Sequence, residues 1–380
     1  MAEAVWSFPT RILFGVGAVS DVGAEAHALG IRRALIVTDR GVVAAGLIAP
    51  VQKALSDRAI EAVVFDGLST NPTQVEAEAA ARAYRDATAD GVVAVGGGAA
   101  LDVAKLVRIL VSQPLPLAEY DDAIGGDAKM TGPFPPMIAL PTTAGTGSEV
   151  GRSAVATIAA TGKKTIFFHP NLIPNVAVLD PKLTETLPAH ATAATGFDAL
   201  THNMEAFLAK GDHPLADAIA LKGIALCGEN LERAVREPHD LEARGAMLKA
   251  SMMGAVAFQK GLGVCHSLAH PLGAEHDLHH GLANALCLPA ALTFIEQAAP
   301  AEVAAVAQAL FPADDQGEGC AERVRALRER VGLPGGLNQV GIKPADLPKL
   351  ARLAFEDGCH QSGRRVCSQA DMEALYRASM

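Results

Sequence analysis

The sequence predicts an α/β N-terminal half built on a parallel, Rossmann-like sheet, followed by an all-helical C-terminal half. Three observations carry this. Short β-branched runs alternate with Ala- and Glu-rich helical stretches up to about residue 180. The run Gly96-Gly97-Gly98 falls directly between a strand and a helix. After Asp180-Pro181 the β-branched runs give way to long Ala-, Leu- and Glu-rich segments. Strand alternating with helix implies a parallel sheet covered on both faces, whereas sustained helical periodicity without strands implies a bundle. The boundary is expected near residue 184, giving an α/β domain over 1–184 and a helical domain over 185–380, with a cleft between them.

In chain order, Ala34-Leu35-Ile36-Val37-Thr38 reads as the first clear strand, and a helix is expected over residues 42–56. Residues 61–65 form the next strand, and residues 73–87, rich in Ala and Glu, the next helix. Gly91-Val92-Val93-Ala94-Val95 has the continuous apolar character of a buried parallel strand. The glycine run after it opens another helix. Residues 137–140 and 176–179 add further strands. Gly15-Val16-Gly17-Ala18-Val19-Ser20 nearly spells a dinucleotide fingerprint, but its third glycine is missing, so a turn into the first helix is expected.

Composition narrows the function. The 380 residues are 50% hydrophobic and 19% charged, with a formal net charge of −10. That charge disfavours nucleic acid or an anionic membrane, which require clustered Lys and Arg. Six scattered cysteines without a CxxC pair fit reduced thiols. The N-terminus carries Glu3 where a signal peptide would be basic. No apolar run approaches the ~20 residues that span a bilayer. A cytoplasmic protein is the expectation.

Two constellations carry chemistry. Gly96-Gly97-Gly98-Ala99-Ala100-Leu101-Asp102 lies between strand and helix, where glycines admit a pyrophosphate to backbone N–H groups and the helix dipole; a structural turn is the plain alternative. Asp39, closing the first βα strand, either binds the adenosine ribose hydroxyls or caps the next helix. Both roles are compatible with NAD rather than NADP. Pro141-Thr142-Thr143-Ala144-Gly145-Thr146-Gly147-Ser148-Glu149 places hydroxyls and glycines at a strand's carboxyl end, where ligands sit on open α/β sheets.

The second constellation is a histidine cluster. Asp198 and His202 are four residues apart, and His266 and His270 repeat the spacing, so each pair shares a helix face. Five histidines crowd into residues 266–280. A continuous helix would hold His266 and His280 ~21 Å apart, so a break at Pro271-Leu272-Gly273 is expected to fold the chain back. An Asp with three His suits Fe²⁺ or Zn²⁺ with a position left open for a substrate oxygen.

With both constellations in view, the chain resembles the iron-containing, or group III, alcohol dehydrogenases, from Phe8-Pro9-Thr10-Arg11-Ile12-Leu13-Phe14-Gly15 to Asp357-Gly358-Cys359-His360. The resemblance implies the dehydroquinate synthase-like architecture and hydride transfer between a nicotinamide cofactor and a small alcohol or aldehyde. It implies metal ligands at Asp198, His202, His266 and His280, the last two singled out by their 14-residue gap. It also implies nucleotide contacts at Asp39, Asn71, Gly96, Gly97, Gly98, Ala99, Asp102, Thr142, Thr143, Thr146 and Lys164. NAD is expected ahead of NADP, Fe²⁺ with Zn²⁺ as the alternative, and a homodimer or higher homo-oligomer. His270 is either a proton relay or a packing residue.

Three departures stand out: Ala99 where Ser is usual, Gly151 where Thr is usual, and Ser362-Gly363-Arg364-Arg365 where the family often has Asn-Pro-Arg. The rival readings are a metal-independent, maleylacetate reductase-like enzyme of the same fold, a metal-dependent hydrolase, and a non-catalytic nucleotide-binding protein. The metal set opposes the first and third, and the glycine turn with Asp39 opposes the second.

Overall fold

The structure, a computed structural model, describes residues 6–8, 10–312 and 319–380. Residues 1–5, which bear on a leader, and Pro9 of the Phe8-Pro9-Thr10 segment lie outside them. Two compact units emerge, one comprising residues 10–143 and 147–186, the other residues 6–8, Ala144–Thr146 and 187–380.

The first unit is α/β. Its strands are β1 (Arg11–Phe14), β2 (Arg33–Val37), β3 (Glu61–Phe65), β4 (Gly91–Gly96), β5 (Met137–Pro141), β6 (Ser153–Thr157), β7 (Lys164–Phe168) and β8 (Val176–Leu179). Six form one sheet in the order β1-β8-β5-β4-β2-β3, with every pairing parallel. The strand alternation builds a core on each face. Leu35, Val37, Val92, Ala94 and Ala139 pack to one side with Leu101, Val103 and Ala104. Ala34, Ile36, Val93, Val95, Ile138 and Leu140 pack to the other with Val22, Val51 and Leu55. Hence the central strands read as continuous apolar runs.

The helices are α1 (Val22–Ala28), α2 (Arg40–Ala44), α3 (Ile48–Ser56), α4 (Gln74–Asp86) and α5 (Gly98–Ser112). The single helix expected over 42–56 is two. Gly46 adopts φ 75°, and Leu47 N–H returns to the Val42 carbonyl at 3.3 Å, a left-handed C-terminal cap that stops α2. A capping box between Thr73 and Glu76 starts α4. The antiparallel β6–β7 pair and the edge strand β1 add elements absent from the sequence reading. Gly15-Val16-Gly17 does form a turn after β1, with Gly17 at φ 85° leading into the turn of 3-10 helix before α1.

The second unit is helical: α6 (Ala189–Leu208), α7 (Pro214–Arg236), α8 (Leu241–Ala257), α9 (Val264–His276), α10 (His280–Glu296), α11 (Pro300–Leu310), α12 (Cys320–Arg330), α13 (Leu347–Glu356) and α14 (Gln369–Ala378). Its core joins Phe197, Leu200 and Met204 of α6 to Met247, Leu268, Leu272 and Leu286. Among the described residues its only β feature is the isolated bridge Ala209–Gly363. No described helix is long and apolar enough to cross a membrane.

The break expected at Pro271-Leu272-Gly273 is not found. Pro271 does not break the helix, because α9 runs through it to His276. The chain reverses at Asp277, which adopts φ 53°, and the N–H groups of Asp277 and Leu278 both return to the Leu272 carbonyl. Asp is among the few residues that tolerate this left-handed conformation, so the cap, and not the proline, ends the helix.

Candidate metal and nucleotide sites

The metal candidates sit where α6, α9 and α10 meet. From Thr192 to Leu208, α6 is buried at all but one position, so the Asp198–His202 face looks into the unit's interior. α10 starts at His280 and lies close against α6: a Cβ at Gly281 would stand 2.1 Å from the Ala194 carbonyl oxygen and 3.1 Å from Asp198 Cβ. Only glycine permits that approach.

The four residues converge, with one donor atom from each of Asp198, His202, His266 and His280 within 4.8 Å of the others. Asp198 Oδ1 is 3.4 Å from His280 Nε2 and 3.9 Å from His202 Nε2. The ring centroids of His202 and His266 are 4.8 Å apart, and those of His266 and His280 are 5.4 Å apart. The Asn284 amide nitrogen donates to Asp198 Oδ1 at 2.8 Å and stands 3.4 and 3.3 Å from the Nε2 atoms of His266 and His280.

The electrostatics favour deprotonated donors. Burial, reinforced by the neighbouring imidazoles and only partly opposed by Asp198, holds His266 and His280 well below the usual histidine range. Burial pushes the Asp198 carboxyl up, but His202, His280, His266 and the Asn284 amide outweigh it and bring it down to about 2. Behind His266 stands Glu205, a residue the sequence reading missed. Its Oε2 lies 2.6 Å from His266 Nδ1. Burial pushes the Glu205 carboxyl up to about 7 against the pull of the Cys265, His266 and Gly263 N–H groups.

His270 contributes no donor to this group. Its Nδ1 lies 2.8 Å from Asp357 Oδ2, and its ring stacks 5.4 Å from that of His280. Asp357 Oδ1 accepts from Ser267 Oγ at 2.7 Å and from the Cys359 N–H at 2.8 Å. Burial raises the Asp357 carboxyl, and the His270 hydrogen bond and charge outweigh this, leaving it well below the usual range. His279 occupies the N-cap position of α10 and also lies outside the four-donor group. Burial drives the Cys265 and Cys359 thiols well above their ordinary range.

In the α/β unit the glycine turn is a steric requirement. Gly96 adopts φ 154°, and a Cβ there would meet Ala100 Cβ at 2.7 Å. Gly97 is the N-cap of α5 and supplies no side-chain cap. Asp39 caps α2 through a 3.0 Å bond from the Val42 N–H, while its Oδ2 lies 3.6 Å from the Cβ position of Gly96. The carboxylate therefore adjoins the glycine turn. Thr142 N–H donates to the Gly96 carbonyl at 2.9 Å, and the Thr143 side chain borders Gly97. Thr146, grouped with the helical unit, follows Gly145, where a Cβ would meet Thr195 Cβ at 2.9 Å. Asn71 is exposed in the loop before α4, its carbonyl accepting from Ser69 Oγ at 2.9 Å.

Asp102 is committed within the unit. Its Oδ1 accepts from Ser148 Oγ at 2.7 Å and its Oδ2 from the Val155 N–H at 3.1 Å. The buried Lys105 donates to Ser148 Oγ at 2.7 Å and to the Ser153 carbonyl at 2.8 Å. Lys164, at the start of β7, lies within electrostatic reach of Asp102. The sequence singles out neither the buried Lys105 nor, beyond its place at the end of the Pro141–Glu149 segment, the buried Glu149. Burial, only partly offset by Asp102 and Glu149, drops the Lys105 ammonium to about 8, and burial raises Glu149 to about 7. A lysine between Ala104 and Leu106 on an apolar helix was the available signal.

The departures also find places. Ala99 lies in the first turn of α5. A Cβ at Gly151 would meet nothing closer than 3.6 Å, so space does not demand glycine there. In the C-terminal segment, Arg365 sits 3.7 Å over the Phe294 ring and donates to the Phe294 carbonyl at 2.8 Å. Arg364 pairs with Glu302 at 3.1 Å. Both guanidinium groups thus tie the segment to the helical unit.

The family described as "Iron-containing alcohol dehydrogenase" matches residues 9–181, and "Fe-containing alcohol dehydrogenase family, C-terminal" matches residues 192–380. A 4-hydroxybutyrate dehydrogenase of Cupriavidus necator is 43% identical, over 98% of each chain. An NAD-dependent methanol dehydrogenase of Bacillus methanolicus is 34% identical, again over 98% of each chain. The crystal structure of a 1,3-propanediol oxidoreductase superposes with a TM-score of 0.95 at 34% identity, covering 100% of both chains. With both halves matched and the relatives aligned end to end, the chain belongs to the iron-containing alcohol dehydrogenase family of oxidoreductases acting on CH–OH groups.

Proposed function

We propose that the chain is a divalent-metal-dependent, NAD-linked dehydrogenase interconverting a small primary alcohol and its aldehyde, or a secondary alcohol and its ketone. The reading rests on one observation, the convergence of Asp198, His202, His266 and His280 within 4.8 Å. The donor set fits a cation. The two Asp198–imidazole distances, 3.4 and 3.9 Å, lie within the ~4.2 Å that two donors bonded at ~2.1 Å to one ion can span. Three imidazoles and one carboxylate suit Fe²⁺ or Zn²⁺; family membership favours iron.

The cation would supply Lewis acidity toward the alcohol oxygen, and NAD would supply the hydride acceptor. The chain's own residues do the rest. Asn284 fixes Asp198, and burial keeps His266 and His280 in the neutral, ligating form. Gly96, Gly97, Gly98, Ala99 and the start of α5 offer an anion seat for the pyrophosphate. Asp39 would accept from the ribose hydroxyls and repel a 2′-phosphate, which favours NAD over NADP. Asn71, Asp102, Thr142, Thr143, Thr146 and Lys164 complete the proposed nucleotide site, with Asp102 acting through Ser148 and Val155. His270, held by Asp357, would carry the proton. No nucleophile is needed, and the cysteine thiols have no covalent role. The domain assignment follows: a nucleotide-binding half over 1–184 and a metal-binding half over 185–380, in a cytoplasmic homodimer or larger homo-oligomer.

The test is nicotinamide absorbance against a panel of short alcohols, diols and hydroxy acids. Wild type should reduce NAD with at least one of them. His280→Ala should lose turnover while still binding NAD. Full turnover by that variant would refute the reading.

A further inference from the structure

We infer that Glu205 is a positioning residue of the metal centre: it holds the His266 ring in the orientation and tautomer that leave Nε2 as the donor atom. This deepens the metal-dependent reading and rests on it. Glu205 continues the α6 face that carries Asp198 and His202, three residues beyond His202. Its Oε2 lies 2.6 Å from His266 Nδ1, and both side chains are 1% exposed, so bulk water does not compete for the bond.

The carboxylate has a built seat. Oε1 accepts the Cys265 N–H at 2.6 Å and Oε2 the His266 N–H at 3.3 Å. These are amides of the first turn of α9, where the helix dipole favours an anion. Gly263 makes room, since a Cβ there would fall 2.6 Å from Glu205 Oε1. Both carboxyl oxygens already accept backbone N–H groups, so the seat is built for an acceptor, and the 2.6 Å contact places the His266 proton on Nδ1 and leaves Nε2 its lone pair. Nε2 is the nitrogen 3.4 Å from the Asn284 amide, which in turn bonds Asp198. By contrast, His202 Nδ1 is buried without a hydrogen-bond partner. A carboxylate behind a ligating histidine typically sets its tautomer and basicity.

The experiment titrates metal-stripped protein with Co²⁺, reading affinity and the visible d–d absorption band for wild type, Glu205→Gln and Gly263→Ala. In Glu205→Gln the Cys265 N–H retains the amide oxygen, so the amide nitrogen faces Nδ1 and drives the proton to Nε2. Co²⁺ affinity should fall about 10–100-fold with a shifted band, while circular dichroism of the metal-free protein is unchanged. Gly263→Ala, which displaces the carboxylate without changing charge, should do the same. If Glu205→Gln does not fold, Gly263→Ala decides by the same criterion. Wild-type affinity and band in the folded variants overturn the role of Glu205 alone. A wild type that binds no Co²⁺ overturns the metal-dependent reading as well.

Discussion

Replacing Gly281 by alanine should damage the metal centre without touching a ligand. The added Cβ would stand 2.1 Å from the Ala194 carbonyl oxygen, 2.8 Å from its carbon and 3.1 Å from Asp198 Cβ. Ordinary contact begins near 3.4 Å, so α10 and α6 must part by about 1 Å. The obstacle is backbone and cannot rotate away. Overpacking of this kind costs about 1–3 kcal/mol, part of which alanine's better helix propensity offsets, at about 1 kcal/mol. The larger effect falls on the neighbour, His280, whose Nε2 is 3.4 Å from Asp198 Oδ1. Metal–ligand distances tolerate only about 0.2 Å, so a 1 Å displacement should weaken metal binding at least about tenfold. Metal content after dialysis, together with melting of the metal-free and metal-loaded protein, reads both effects. Wild-type metal retention with an unchanged metal-free melting temperature would refute the argument that Gly281 sets the approach of α10 to α6.

Three further outcomes follow from individual side chains. Asp39→Gly should improve the use of NADP relative to NAD, and a wild type that already prefers NADP would contradict the placing of Asp39 at the ribose. His270→Ala should change the pH–rate profile, and an unchanged profile would leave His270 a packing residue. Glu149 is held at about 7 by burial, against about 4.5 for a free carboxyl. Between those values the native state keeps a proton that the unfolded chain releases, so stability falls as pH rises through that window. Glu149→Gln should flatten the fall in a urea-midpoint series, and identical slopes in variant and wild type would sink it.

Much of this architecture was legible in the sequence. The parallel strands announced themselves because both faces are covered, which demands continuous runs such as Val92-Val93-Ala94-Val95. The metal candidates were visible because i, i+4 spacing fixes a helix face whatever surrounds it. Other features depend on context. Pro271 reads as a helix breaker, but the Asp277 cap decides where α9 ends. Glu205 looks like any helical carboxylate until α6 is seen to be buried on nearly every side. Lys105 and Glu149 are likewise defined by burial, a property of the assembled sheet and helices. The β6–β7 pair was missed because two five-residue strands around a turn at Gly162 carry little periodicity.

The most direct test is turnover by chelated, metal-free protein with its best alcohol and NAD, alongside direct measurement of NAD binding. The account predicts no turnover, NAD affinity close to that of the holoprotein, and recovery on adding one equivalent of Fe²⁺ or Zn²⁺. Full activity without metal would contradict it and favour a metal-independent, maleylacetate reductase-like reaction on the same fold.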